Sequence, residues 1–226
     1  FTVIFGLLIA VLVNRSFPGR GIVRVLLISP FFVMPAVNAV LWINMILDPV
    51  LGLNGLVVAG INDLVVGLRE FPLIGPFFSM WPELEPISFR ASQTSAYAVI
   101  MMVTWQWTPF AVLIFMTSLQ SEDESQKEAA MLDGASAWSQ FINLTVPHLA
   151  RPIAIVVMIQ SIFHLSLYAE IEIVSRGNGN KNLPYLIGEF TSNNIGAASA
   201  TGIFAVILAN IIAIFLLRMV GKSLMD

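Results

Sequence analysis

Residues Thr94–Leu119, TSAYAVIMMVTWQWTPFAVLIFMTSL, form an unbroken run without a single charged side chain. A helix that crosses a bilayer needs roughly 20 predominantly apolar residues, and this run exceeds that. Val25–Leu47, Pro152–Val174 and Ile195–Leu217 meet the same length. A fifth run, Phe1–Val13, rises only about 1.5 Å per residue, too little for a hydrocarbon core of about 30 Å. It is expected to be the back half of a helix whose beginning is missing, so the chain reads as N-terminally truncated. The resulting fold class is all-α: a polytopic transmembrane helix bundle with about five spans, the first incomplete, forming one membrane domain over residues 1–226.

Composition agrees. Of the 226 residues 57% are hydrophobic and 11% charged, against about 25% charged in soluble domains. A soluble fold of this size could not hide so much apolar surface in one core, so the bilayer must be its solvent. The net charge of −3, with Lys and Arg scattered, gives no nucleic-acid footprint. The absence of Cys removes disulfides, thiolate nucleophiles and Cys-ligated metals.

Orientation is set by Lys and Arg in short loops. Arg15, Arg20 and Arg24 crowd the loop after the first run with no acid among them, which predicts that this loop is cytoplasmic. Residues 48–93 then lie outside, 120–151 inside, 175–194 outside, and the tail with Arg218 and Lys222 inside. Within the external segment, Leu53–Leu68 is apolar and expected along the membrane interface. Pro72, Pro76, Pro82 and Pro86 punctuate the remainder of that segment, and Trp81 suits the headgroup level.

The longest internal loop, 120–151, is the most specific stretch. Ser121 and Glu124 have capping-box spacing, and Glu122, Asp123 and Glu124 suit the positive end of a helix. Glu128-Ala129-Ala130-Met131-Leu132-Asp133-Gly134 comes next, and nine residues later Leu144-Thr145-Val146-Pro147. A short helix is expected to stop near Gly134, where positive φ is cheap. A second is expected to run to about Leu144 and be ended by Pro147. Ala129 and Ala130 let another surface approach closely, and Glu128 offers a charged handle.

This spacing resembles the EAA loop of the membrane subunits of ATP-binding-cassette importers: Glu-Ala-Ala, three residues, Gly, nine residues, Ile, any residue, Leu-Pro. Glu128, Ala129, Ala130, Gly134 and Pro147 match outright, and Leu144 and Val146 are conservative replacements. Leu8–Arg24, Leu26–Trp42, Gly52-Leu53-Asn54, Trp107-Thr108-Pro109-Phe110 and Ile195–Leu217 resemble successive parts of sugar-importer permeases of the maltose-permease type. Phe163-His164-Leu165-Ser166 through Glu170-Ile171, and the ending Ile207–Lys222, look most like mannitol or sorbitol permeases. One departure stands out. Arg176-Gly177-Asn178-Gly179-Asn180 replaces the Gly-Gly-Pro turn that the family often shows, which affects the external loop there and its contact with a binding protein.

The resemblance implies a type I importer permease in the inner membrane, multi-pass, importing a sugar or sugar alcohol. It implies a second homologous permease subunit, two cytoplasmic ATP-binding subunits seated on the loop, and an external solute-binding protein. ATP and Mg would be held by those partners, with no cofactor on this chain and no catalysis by it.

Polar residues inside spans are costly and face a bundle interior or a water-filled cavity. Gln160, His164, Tyr168 and Glu172 recur at every fourth position, one stripe on a helix. They form either a solute path or a hydrogen-bonded seam against a partner subunit. Asn38, Trp42 and Met45 make a second such face, and Trp105, Gln106, Trp107 and Thr108 a third. Their aromatic rings either stack on a sugar or simply pack. Pro30, Pro35 and Pro109 either supply a hinge or fix a kink, and Gly196, Ala198, Ala200 and Gly202 suit close helix packing.

Other constellations fail. Gly221-Lys222-Ser223 imitates the end of a phosphate-binding loop, but Leu216 stands where its first Gly belongs. His148 and His164 lie too far apart for a shared metal, so none is expected. The rival class is an ion-gradient-driven secondary transporter, which would need buried titratable relays deep in the spans. Only Glu170 and Glu172 qualify, both near an outer end.

Overall fold

The computed structural model describes residues 1–15 and 17–225, with side chains as far as Arg218. Lys222 of the basic tail, the Met219–Lys222 ending and the Gly221-Lys222-Ser223 imitation therefore lie outside the described side chains. The elements are helices: α1 Thr2–Asn14, α2 Arg20–Ile28 with a 3-10 turn Ser29–Phe32, and α3 Pro35–Leu41 with a π turn Trp42–Ile46. Next come α4 Leu53–Arg69, α5 Gly75–Phe78, α6 Ser95–Gln120, α7 Glu124–Leu132, and α8 Ala137–Gln140 with a π turn Phe141–Thr145. The chain ends with α9 Val146–His148, α10 Ala150–His164, α11 Ala169–Ser175, α12 Leu183–Thr191 and α13 Ile195–Met225.

Among the described residues, Ser95–Gln120 and Ile195–Arg218 are each long and apolar enough to cross a membrane. Two bent pairs, Arg20–Phe32 with Pro35–Ile46 and Ala137–His148 with Ala150–His164, pass the same test jointly. Thr2–Asn14 is a shorter apolar helix.

The expected span Val25–Leu47 is thus not one helix. Pro35 has no N–H and its ring disfavours helical backbone in the residue before it. Val33 and Met34 accordingly turn extended, with ψ of 129° and 140°, and a new helix opens on Pro35. Nor is Pro152–Val174 continuous, because α10 ends at His164 and α11 begins at Ala169. The four-residue stripe is therefore broken: Gln160 and His164 share α10, Tyr168 caps α11, and Glu172 lies within α11. By contrast α6 passes Pro109 as a helix, and the Thr108 hydroxyl donates to Thr104 O at 2.6 Å in the turn that the proline loosens.

The chain forms two compact units. The first comprises Phe1–Val33, Val103–Leu167 and Leu186–Asp226. Its core joins Ala10 and Val13 of α1 to Ala111, Val112, Phe115, Met116 and Leu119 of α6, with Leu149 and with Val156 of α10. Arg24 donates to Val13 O at 3.4 Å, satisfying a carbonyl at the end of α1. α10 packs on α13, whose Ile203, Phe204, Ile207, Ile211, Ile214 and Phe215 remain 51% to 66% exposed. A helix apolar on its outer side suits lipid as its solvent.

The second unit comprises Met34–Met102 and Tyr168–Tyr185. In it α3 packs on α11, burying Ala39 and Ile43 with Ile171 and Val174. α4 carries the α5 turn, held by Arg69 donating to Phe78 O at 3.2 Å and to Trp81 O at 2.7 Å. The Arg176–Asn180 loop is fixed here too. Gly179 has φ +85°, and a Cβ there would run into Ser92 O. The Ser95 hydroxyl donates to Asn178 O at 3.1 Å.

Candidate functional site

The hairpin from 121 to 149 begins at α7. Asp123 caps it, its carboxylate accepting the Ser125 N–H at 2.9 Å. The capping box expected on Ser121 is not formed, since that hydroxyl donates back to Ser118 O at 2.8 Å. Asp123 stands directly before the first helical residue, the position from which a side-chain oxygen reaches the orphan donors of the first turn. The Ser125 side chain, and then its backbone N–H, hold the Asp123 carboxyl below its ordinary range.

Gly134 ends α7 as expected. It adopts φ +78°, its N–H donates to Met131 O at 3.0 Å, and Ala135 N–H donates to Ala130 O at 2.9 Å. This is the paired closure of a Schellman motif, which needs a left-handed residue at that position. Ser136 then caps α8 by accepting from Ser139 N–H at 3.2 Å. The return arm does not stop at Pro147, as the sequence suggested. A widened π turn over Phe141–Thr145 lets the proline sit in the first turn of α9, where its missing N–H removes no bond. The change of direction comes afterwards, a 53° bend between Ala137–His148 and Ala150–His164.

The sequence-predicted hairpin residues come out on one accessible body. Glu128, Ala129, Gly134 and Pro147 are exposed, and Ala130, Leu144 and Val146 are half-buried. Three apolar side chains that spacing did not single out are more conspicuous: Met131 is 60% exposed, Trp138 71% and Leu132 89%. Trp138 stacks on Phe141 at 5.8 Å, which holds its ring in place. The base of the hairpin was also missed. Glu122 accepts from the Thr145 hydroxyl at 2.8 Å and pairs with Lys127 at 2.9 Å, while His148 donates to Ser118 O at 2.9 Å. Glu122 looked like one of three helix-start acids, and only its burial separates it from the others.

Of the intramembrane candidates, the first unit brings three together. Gln160 donates to Trp107 O at 3.3 Å and accepts from the Thr2 hydroxyl at 2.5 Å. The His164 ring meets the edge of Trp107 with centroids 5.4 Å apart, and its Nε2 is buried without a hydrogen-bond partner. Trp107 also touches Phe31 at 5.6 Å and Phe163 at 5.1 Å. Gln106 instead donates to Val33 O at 2.5 Å, satisfying the backbone where the helix before Pro35 breaks off. In the second unit, Asn38 is fully buried and donates to Met102 O at 3.3 Å, Trp42 is half-buried at the start of its π turn, and Tyr168 stacks on Tyr185 at 5.9 Å.

A family model described as binding-protein-dependent transport system inner membrane component matches residues 2–226. The probable ABC transporter permease protein y4oQ of Sinorhizobium fredii is 33% identical over 150 residues, covering 66% of this chain and 41% of that protein. The trehalose/maltose transport system permease protein MalF of Thermococcus litoralis is 27% identical over 157 residues, covering 69% of this chain and 45% of that one. The aligned part thus spans less than half the length of either relative. In fold, the chain is similar to a bacterial alginate ABC transporter crystallised with an alginate pentasaccharide-bound periplasmic protein. The TM-score is 0.74 at 20% identity, covering 97% of this chain and 72% of that one.

Proposed function

The chain belongs to the family of binding-protein-dependent transport system inner membrane components, and from that premise we propose that it is the permease subunit of an ATP-driven carbohydrate importer. As a family member it is a multi-pass inner membrane protein and a transport component rather than an enzyme. The observation that carries the proposal is the hairpin. A capped, Schellman-closed helix presents Glu128, Ala129 and Leu132, and α8 after it presents Trp138, on a surface left exposed by the described residues. Large apolar residues held in the open beside acids are the anchors of a protein contact.

In this reading two cytoplasmic ATP-binding subunits seat the hairpin through Glu128–Pro147. A second homologous permease completes the pathway, and an external solute-binding protein delivers the solute. ATP and Mg are held by the ATP-binding subunits. Their closure pushes the hairpin, and the spans exchange inward- and outward-facing states. The hairpin needs shape for this and no reactive group.

For the solute, His164 Nε2 lacks a partner beside the Trp107 ring, with Gln160 next to it. An aromatic ring beside a free hydrogen-bonding nitrogen suits the apolar face and the hydroxyls of a sugar or sugar alcohol. The names of the relatives, trehalose/maltose and alginate transporters among them, support a carbohydrate. Asn38, Trp42 and Tyr168 are secondary candidates for the path. Gln106 is assigned to packing by its bond to Val33.

The test is Gly134→Trp and Glu128→Arg in the intact assembly. The readouts are co-purification of the ATP-binding subunits and uptake of radiolabelled maltose, trehalose, mannitol and sorbitol. Loss of both readouts with the chain still inserted is the expected outcome. Undiminished uptake of any of these sugars would overturn the coupling role and favour an ion-driven carrier.

A further inference from the structure

We infer that the Glu122 carboxylate is a strut that locks the hairpin to the end of α6, a positioning residue that makes the two move as one body. The inference rests on the coupling reading and specifies how its force is carried. Glu122 lies in the turn directly after α6, with its side chain only 7% exposed. One oxygen accepts from the Thr145 hydroxyl of the return arm at 2.8 Å, and the other lies 2.9 Å from the Lys127 ammonium of α7. A single carboxylate therefore holds three pieces of chain: the end of α6, the outgoing helix and the returning one. The His148 bond to Ser118 O at 2.9 Å ties the return arm to the last turns of α6 a second time.

Physical cost argues that this arrangement has a purpose. Burying a carboxylate is unfavourable unless both oxygens are matched, and a packed apolar pair in the same place is commonly no less stable. What fixes the geometry is the directional Thr145 hydrogen bond, while the Lys127 ammonium neutralises the other oxygen as an ion pair without hydrogen-bond geometry. Beyond these two polar ties, the described hairpin joins α6 through the short turn 121–123 and through Leu149, which packs in the α6 core at the base of the return arm, while α7 itself is largely exposed. Without the strut, load on α7 would bend that turn. With it, load displaces the end of α6.

The test uses the complete assembly with its ATP-binding subunits in liposomes. The chain has no cysteine, so Thr117→Cys and Ala137→Cys, both exposed, give one spin-labelled pair across the joint. We expect a single narrow distance distribution that Mg·ATP does not move. Thr145→Val and Glu122→Ala should each broaden it about twofold, with the double variant no broader than either. Thr145→Ser should restore it, and Glu122→Gln, which keeps the acceptor but not the ion pair, should fall between. All variants should retain the ATP-binding subunits and hydrolyse ATP. An unchanged width in both Thr145→Val and Glu122→Ala overturns the strut. So does a wild-type distribution that splits on adding Mg·ATP. If wild type fails to bind the ATP-binding subunits, the coupling reading falls, while the width comparison still decides the strut.

Discussion

Gly134 shows how one residue sets the hairpin. Its φ of +78° is the obstacle to substitution, since a Cβ there would meet open space. Gly134→Ala should therefore cost about 1 kcal/mol of local stability, with Gly134→Val worse and Gly134→Asn milder. Hydrogen exchange of the α7 amides would read that order. Asp123 makes a prediction in pH. Its folded carboxyl titrates below the ordinary 3.8 because Ser125 donates to the charged form. The cap is thus fully present above that ordinary value and is lost as pH falls through the lowered one. Helicity of α7 should be flat around neutrality and drop only in acid, and Asp123→Asn should remove the acid transition while keeping the cap. The end of α7 was legible because Gly adopts that backbone at least cost. The start was not, because Ser121, Asp123 and Glu124 all carry capping chemistry and geometry alone chooses between them.

At the level of elements, α6 and α13 could be read directly from length and apolarity, because lipid imposes both. The breaks could not. Pro35 was visible, but as a kink, and whether a proline bends or severs a helix depends on what satisfies the freed backbone. Here Gln106 does so by donating to Val33 O. Gln106→Leu should leave that carbonyl unsatisfied and cost about 1–3 kcal/mol, read as a lower Tm of the purified protein with little change in solute preference. The interruption at 165–168 carries neither Gly nor Pro, so no local signal marks it. α11 is held instead by its packing on α3, a tertiary effect that single-sequence periodicity cannot carry. The expected stripe of Gln160, His164, Tyr168 and Glu172 failed for that reason. Its first two members still meet, because they share α10 and both face Trp107. His164→Phe should keep the packing on Trp107 and lose the nitrogen. On the proposed reading we expect normal stability with uptake of the transported solute reduced at least tenfold, as for a site built to bind a hydroxyl. Unchanged uptake would assign the cluster to packing alone.

For the whole molecule, the apolar composition becomes intelligible as surface rather than core. Helices such as α13 keep their large apolar side chains outside, where a bilayer replaces water. Charged side chains correspondingly gather in the segments between the long apolar helices, the hairpin and residues 48–93 above all. The account depends on that hairpin facing the cytoplasm and being covered there by another protein. Leu132, 89% exposed at its tip, is the place to ask. In an otherwise cysteine-free chain, Leu132→Cys can be challenged with a membrane-impermeant maleimide in vesicles of either orientation. Labelling only in inside-out vesicles, and protection once the ATP-binding subunits are added back, is the result the account predicts. Labelling from the external face, or a rate indifferent to those subunits, would contradict it.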